Sequence, residues 1–389
     1  MKIGLFGFDF SHYNKGCEAL TYSFLAILEE ILKGKDIDVL VFTYNNDLGK
    51  IPTLYENMNF LHKRVQLKKP GFVCELFSEI AKCDLFFDAT FGDGFSDIYG
   101  RKWNVKTNLI KQLVIWSKTP LILVPQTYGP FDSTLLKGWA GEIIARAKSV
   151  YARDPLSGHY AEQISNREIK ESSDMAFKLP YEKSIYKIDT IQTKVGINVS
   201  SLLWDGKWVE ENHFGLKVNY REYILSLLSS LINDEKYCVH LIPHVIDVRR
   251  MDFPENDYRV CKILNNQFGN KIIVAPPFDT PIEAKSYIAN MDVFTGARMH
   301  STIGAISTGV ATIPFSYSRK FEGLFSSIEY PYIISGKELD TTEALKKTLD
   351  YIHNFRKIQQ EVTEARGKAL KKLDFFISDL QRLIQISIN

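Results

Sequence analysis

Over residues 1–180, apolar positions fall in short unbroken runs separated by amphipathic stretches of helical period. That is the pattern of a parallel sheet whose two faces are both covered by helices. Runs at 2–8, 37–44, 85–89, 121–125 and 149–152 predict strands, each bounded by Gly, Pro, Asp or Asn. A helix is expected over 18–32, where Ala19, Tyr22, Leu25, Ala26 and Leu28 share one stripe. A polar interval at 181–194 precedes a second series, with strands expected at 195–199, 237–243, 271–275, 293–295 and 311–314 and helices at 220–231, 258–266 and 282–289. Leu345, Leu349, Ile352 and Phe355 recur at helical spacing and predict long helices over 341–389. The expected fold class is α/β: two doubly wound domains, over 1–188 and 189–389, facing a cleft where a substrate would bind.

The length of 389 residues allows two to three domains, each with its own core, and so agrees with this division. Charge narrows the function. Lys and Arg number 48 against 46 Asp and Glu, a formal charge of +2, which excludes a general nucleic-acid binder working by phosphate neutralisation. Any anion site has to be local. The five cysteines (17, 74, 83, 238 and 261) show no CxxC pair and no Cys/His ligand spacing, so they are expected as reduced thiols of a cytoplasmic protein, with no metal. The N-terminal stretch reaches Asp9 before it builds the apolar run of a signal peptide. Residues 301–318 lack charge, but their Ser, Thr, Gly and Pro content argues against a bilayer span.

Candidate chemistry concentrates where predicted strands end. In residues 292–319, a short strand runs into Gly296, and Arg298, Met299 and His300 arrive together where a helix should start. Free backbone N–H groups and the helix dipole make such a turn an anion pocket. An arginine there adds a planar fork and a histidine adds a group that titrates near neutrality. The competing structural reading pairs Arg298 with a local carboxylate and makes His300 a cap. Arg153 ends another strand in YARDPLS, while Asp154 beside it reads as a helix cap before Pro155. Asn14 and Gly16 in the loop 9–20, Asp93 and Asp97 in the Gly-rich turn 91–100, and His244 directly after a strand complete the candidates, with Arg319 at the end of the 292–319 segment. Each of the loop residues is equally readable as a turn, and His244 as a structural histidine. The loop 9–20 lacks GxGxxG, so it carries no dinucleotide fingerprint.

In chain order, NKGCEAL (14–20), GDGFSDIYG (92–100), PQTYGPF (125–131), ARDPLS (152–157), SSDMAF (172–177), VGINVS (195–200), LIPH (241–244) and GARMHSTIGAISTGV (296–310) resemble the polysaccharide pyruvyl transferase family. The resemblance implies two Rossmann-like domains of the glycosyltransferase-B type, the N-terminal one on the acceptor side and the C-terminal one on the donor side. It implies transfer of pyruvate from phosphoenolpyruvate to two hydroxyls of a sugar as a cyclic ketal, with no cofactor beyond that co-substrate. By motif matching, Arg153, Arg298, the Met299 backbone and His300 are the positions that would hold phosphoenolpyruvate. The family loop often reads Asn-x-Gly-Asp, and here Cys17 takes the Asp position.

For this chemistry His300 is the expected general acid, with Arg298 beside it; in the rival assignment His300 binds phosphate and Asp93 or Asp97 moves the proton. A nucleotide-sugar glycosyltransferase of the same architecture is the alternative function. Tyr99, Trp103, Tyr128, Trp204 and Trp208 could stack on sugar rings or belong to the core. A lipid-linked acceptor would require docking at the inner face of a membrane, where the basic stretch 62–69 (HKRVQLKK) would assist, although a solvated face explains the same charges.

Overall fold

The computed structural model describes residues 1–49, 51, 55–69, 71–205, 212 and 214–388, without the side chains of 319, 387 and 388. Contact density resolves two units: Met1–Ser11 with Leu20–Lys178 and Ala369–Asn389, and His12–Ala19 with Leu179–Lys368.

The first unit is built on a seven-stranded sheet in the order β3-β2-β1-β4-β5-β6-β7, with every pair parallel. Its strands are β1 (Lys2–Phe6), β2 (Ile37–Thr43), β3 (Met58–Arg64), β4 (Leu85–Asp88), β5 (Leu121–Gln126), β6 (Ser149–Ala152) and β7 (Lys170–Glu171). Strands β4, β5 and β6 are buried at every position, as expected when helices cover both faces. Phe6, Phe42, Phe86, Ile110 and Leu123 belong to one continuous core.

The second unit carries six parallel strands in the order β10-β9-β8-β11-β12-β13. These are β8 (Thr193–Asn198), β9 (Tyr237–Leu241), β10 (Ile273–Val274), β11 (Val293–Gly296), β12 (Ala311–Ser316) and β13 (Ile334–Ser335). In each sheet the order reverses beside one strand, at β1/β4 and at β8/β11. Carboxyl ends at such a reversal leave room for a ligand, because the flanking connections depart to opposite faces.

Two stretches group away from their sequence neighbours. Residues 12–19 group with the second unit through an antiparallel bridge between Asn14 and Val245 and through Ile246 N–H donating to Tyr13 O at 2.8 Å. The last part of the helix Phe355–Ile388, from Ala369 onward, groups with the first. There Phe376 packs edge-on to Tyr151 with ring centroids 4.7 Å apart, and Asp379 accepts from the Tyr151 hydroxyl and from Lys170, both at 2.5 Å.

The basic stretch 62–69 begins inside β3, the edge strand. His62 bonds the Thr43 hydroxyl at 3.0 Å, and Lys63 pairs with Glu75. Among the described residues no helix is long and apolar enough to cross a membrane.

Candidate functional site

In the second unit the reversal at β8/β11 gathers the most chemistry. Strand β11 ends at Gly296, and Arg298, with extended backbone, takes the N-cap position of the helix Met299–Ser307. Its carbonyl receives Ser301 N–H at 3.0 Å, while its own N–H is held by Asn198 Oδ1, at the end of β8, at 3.0 Å. The guanidinium is committed to the protein. Nε lies 3.3 and 3.2 Å from the two Asp257 oxygens, and Nη2 reaches Asp257 Oδ1 at 2.8 Å, Ser201 Oγ at 3.2 Å and Glu255 O at 3.4 Å. Burial alone would lower the pKa of this arginine, but the Asp257 charge outweighs it and the value is raised. The local-carboxylate reading of Arg298 is therefore realised, leaving Nη1 as the guanidinium nitrogen without a partner among the described residues.

Asp257, fully buried, is the hub of this corner. It also accepts from Ser201 N–H and Oγ, both at 2.9 Å, from His244 N–H at 3.3 Å and from Val245 N–H at 3.0 Å. Sequence reading missed Asp257, Ser201 and Asn198. Only the Asn-Asp pair at 256–257 marked a helix start there, and nothing in the sequence tied it to Arg298.

His300 lies in the first turn of the same helix, and the N-terminal loop packs on its ring. A Cβ added to Gly16 would fall 2.6 Å from His300 Nδ1, so glycine is required for that approach. Asn14 serves the loop itself: its Oδ1 accepts Gly16 N–H at 2.9 Å and its carbonyl accepts Cys17 N–H at 3.1 Å. The following Lys15 N–H donates to His244 O at 3.0 Å, while the buried Lys15 Nζ is tied to Glu18 at 2.8 Å. His244 is buried, and neither ring nitrogen has a hydrogen-bond partner among the described residues. Burial first, then the charges of His300, Arg298 and Lys15, hold its pKa well below the usual imidazole value. Arg319 heads the helix Arg319–Ser327, and its side chain lies outside the described residues.

In the first unit, β4 runs into a turn with three successive positive φ angles: 37° at Thr90, 57° at Phe91 and 88° at Gly92. Left-handed backbone at two non-glycine residues marks a strained turn. A Cβ at Gly92 would stand 3.5 Å from Arg153 Nη1, which places the arginine against this turn. Arg153 is buried, yet its only guanidinium bond among the described residues runs from Nη1 to Asp174 Oδ2 at 3.1 Å. The neighbouring Ser172 and Ser173 hydroxyls, following β7, are buried without partners among the described residues.

The other acidic candidates have local tasks. Asp97 Oδ2 accepts the N–H groups of Asp132 and Ser133 at 3.0 and 3.2 Å, and Asp93 Oδ1 accepts the Tyr99 hydroxyl at 2.8 Å. Asp154 caps the helix Pro155–Ser165 through Ser157 N–H at 2.8 Å, and burial raises its pKa. An unforeseen pair is Asp88 with Lys111, 3.5 Å apart and wholly buried. Burial, outweighing their mutual attraction, shifts Asp88 up and Lys111 down. Of the aromatic candidates, Tyr128 and Trp204 are buried, Trp103 packs on Phe91 and Tyr44, Tyr99 is exposed, and Trp208 lies outside the described residues.

Solved structures of similar fold span essentially the whole chain. A UDP-GlcNAc 2-epimerase from Neisseria meningitidis bound to UDP-GlcNAc aligns with a TM-score of 0.62 at 10% identity, covering 100% of this chain and 99% of its own. A putative UDP-N-acetylglucosamine 2-epimerase from Listeria monocytogenes gives 0.60 at 11%, covering 98% and 97%. Anabaena HepE in complex with UDP-glucose gives 0.58 at 13%, covering 100% and 99%. At these identities the likeness establishes the fold, two Rossmann-like units of the glycosyltransferase-B type. No curated protein sequence matches the chain. The profile of the polysaccharide pyruvyl transferase family, however, matches residues 14–319, from the Asn14 turn through the Arg298–Met299–His300 helix start to Arg319, and the chain belongs to that enzyme family.

Proposed function

We propose that this enzyme transfers pyruvate from phosphoenolpyruvate to two hydroxyls of one sugar in a polysaccharide or glycan precursor, forming a cyclic ketal and releasing phosphate. The observation that carries this reading is the convergence, in one corner of the second unit, of an arginine-capped helix start, His300 and the glycine loop that packs on it. A small, densely charged donor calls for charge-assisted hydrogen bonds from few groups. Arg298 supplies Nη1 and the preorganised N-terminal turn, and the Met299 backbone N–H lies in that turn; by the family motif, Arg153 is a further arginine proposed for phosphoenolpyruvate.

In the reaction, His300 donates a proton to C3 of the enol, converting CH2 to CH3, while the first sugar hydroxyl attacks C2. The phosphate ester bond to C2 breaks and the second hydroxyl closes the ring. Of the two hydroxyl protons, one restores the acid and the other leaves as part of hydrogen phosphate, so no redox partner is needed. Asp97 is engaged by the two N–H groups of the 132–133 segment, which favours His300 over it as the acid.

The UDP-sugar ligands of the similar folds favour a second reading, a nucleotide-sugar glycosyltransferase. Thermal shift with phosphoenolpyruvate, UDP-glucose and UDP-GlcNAc, followed by phosphate release across sugar nucleotides, lipid-linked sugars and free glycans, separates the two. Stabilisation by phosphoenolpyruvate and acceptor-dependent phosphate release are expected; stabilisation by UDP-sugars alone would overturn the proposal. His300→Ala should retain donor binding and lose turnover by about 10²- to 10⁴-fold, and an unchanged rate would remove it as the acid.

A further inference from the structure

Large apolar side chains that face solvent singly are ordinary, but several at one place on a surface mark an interaction site. In the first unit four gather where two helices begin: Ile98 is 49% exposed, Tyr99 57%, Val105 44% and Leu135 82%. The helices are Arg101–Trp116 and Thr134–Arg146, with Gly100 and Ser133 as their N-caps. Asp97 ties the two starts together. Its carbonyl accepts Gly100 N–H at 2.8 Å, closing the turn that holds Ile98 and Tyr99, and its Oδ2 accepts Asp132 N–H at 3.0 Å and Ser133 N–H at 3.2 Å. Leu135 stands two residues past that second anchor, so chain length alone keeps it beside the turn.

The same helix starts carry four exposed cations, Arg101, Lys102, Lys106 and Lys137. Arg101 and Val105, like Lys102 and Lys106, are four apart on one helix and so form two exposed rows. None of the four cations has a carboxylate partner among the described residues, and Lys106 and Lys137 lie over the Tyr44 and Tyr160 rings instead. Elsewhere on this unit Lys63 pairs with Glu75 and Lys82 with Glu79. Neither helix has an acidic residue in its first turn. The acids close by are Asp132, which is exposed, and Asp93 and Asp97, which are half-buried and accept from the Tyr99 hydroxyl and from the 132–133 N–H groups.

We propose that this face docks on a bilayer surface carrying anionic lipids, its apolar side chains entering the headgroup region while the cations meet lipid phosphates. Side chains that project from helix starts suit a deformable apolar phase better than a rigid partner, which would need a matching cavity for each. Unpaired cations around them complement the negative surface. The basic stretch 62–69 lacks this combination, since Lys63 is already paired. Docking concerns where the enzyme works and goes beyond the proposed reaction.

The test is co-sedimentation of the full chain with vesicles of phosphatidylcholine alone and of equal parts phosphatidylcholine and phosphatidylglycerol. The anionic vesicles should bind it at least about tenfold more tightly, and salt at about 0.5 M should remove most of that difference. Each Lys or Arg near an anionic surface contributes about fivefold, so joint replacement of Arg101, Lys102, Lys106 and Lys137 by Gln should weaken binding by about 100- to 1,000-fold. Ile98→Ser with Leu135→Ser should weaken it by about 10- to 100-fold at either salt. The control replaces the exposed Lys33, Lys35, Lys118 and Lys148 by Gln; these precede β2, β5 and β6 at the opposite end of the same sheet, and this variant should bind like wild type. No sedimentation with anionic vesicles at low salt, equal binding to neutral ones, or an equal loss in the control would overturn the proposal. So would a dimer that Leu135→Ser dissociates, which would give the face to a second copy of this chain. Should the double serine variant fail to fold, the glutamine variants and the lipid dependence decide. Vesicle binding is read without phosphoenolpyruvate, so its failure leaves the proposed reaction standing, and failure of the reaction leaves the docking standing.

Discussion

Arg153 in the first unit and Arg298 in the second both follow the carboxyl end of a buried parallel strand, yet their guanidinium groups are used differently. Arg298 is clamped by Asp257, Ser201 and the Glu255 carbonyl, whereas among the described residues the Arg153 guanidinium bonds only Asp174. A guanidinium carries five donors, so the second arginine has spent most of its hydrogen-bonding capacity on the protein and the first has kept most of its own. Placement at a strand end thus does not decide whether an arginine serves the ligand or the fold. That depends on which carboxylates the tertiary structure brings within reach. For Arg298 the clamp also fixes the N-cap from which Met299 and His300 project.

The comparison makes its largest prediction for stability. Arg298→Ala should cost about 3 kcal/mol, the low end for breaking a buried pair, since donors from Ser201, His244 and Val245 still reach Asp257. Urea unfolding measures this, and a loss under about 1 kcal/mol would show the clamp to be energetically idle. Arg153→Gln, which keeps an amide to face Asp174, should cost about 1 kcal/mol of stability but weaken phosphoenolpyruvate binding by about 10- to 100-fold, the worth of a charge-assisted hydrogen bond. Calorimetry checks the affinity. A variant that unfolds more readily than Arg298→Ala while binding the donor normally would invert the assignment of the two arginines.

The smallest effect extends the contrast to buried lysines. Lys111 of the first unit faces the Asp88 carboxylate, while Lys285 of the second donates to the Leu179 carbonyl at 2.7 Å and lies over the Tyr181 ring. Burial, with a small contribution from Arg366, lowers the Lys285 pKa to about 7 from 10.5. Above pH 7 the unfolded chain then binds more protons at this site than the folded one, so stability rises with pH from about 7 towards 10.5 and is lowest below that window. Over pH 7 to 8 the gain should be about 1 kcal/mol, and Lys285→Met should remove the slope. A pH-independent wild-type midpoint in urea would show that the lysine keeps its proton when folded.

Much of the fold was legible because buried parallel strands are written as unbroken apolar runs. LFFD at β4 and SVYA at β6 are buried throughout and stand where the pattern put them. Strand β3 was not legible: MNFLHKR is an edge strand whose burial alternates, so its polar side resembles a basic loop. At the candidate site the turn signals around Gly296 and Pro155 located Arg298 and Arg153 at the ends of strands. Their partners were invisible, because Asp257 stands 41 positions before Arg298 and Asp174 stands 21 after Arg153.

By itself, then, the sequence determined the two α/β halves, the strand-end turns that present Arg153, Arg298 and His300, and, through the ordered motifs, the family. These follow from periodicity and local backbone preference, which act over a few residues and need no distant partner. Tertiary structure alone decided that residues 12–19 join the second unit, that Asp257 clamps Arg298, and that the buried His244 ring has no hydrogen-bond partner among the described residues. Each of these depends on side chains far apart in the chain meeting where water is excluded, and there the balance between desolvation and a specific partner sets what a residue can do.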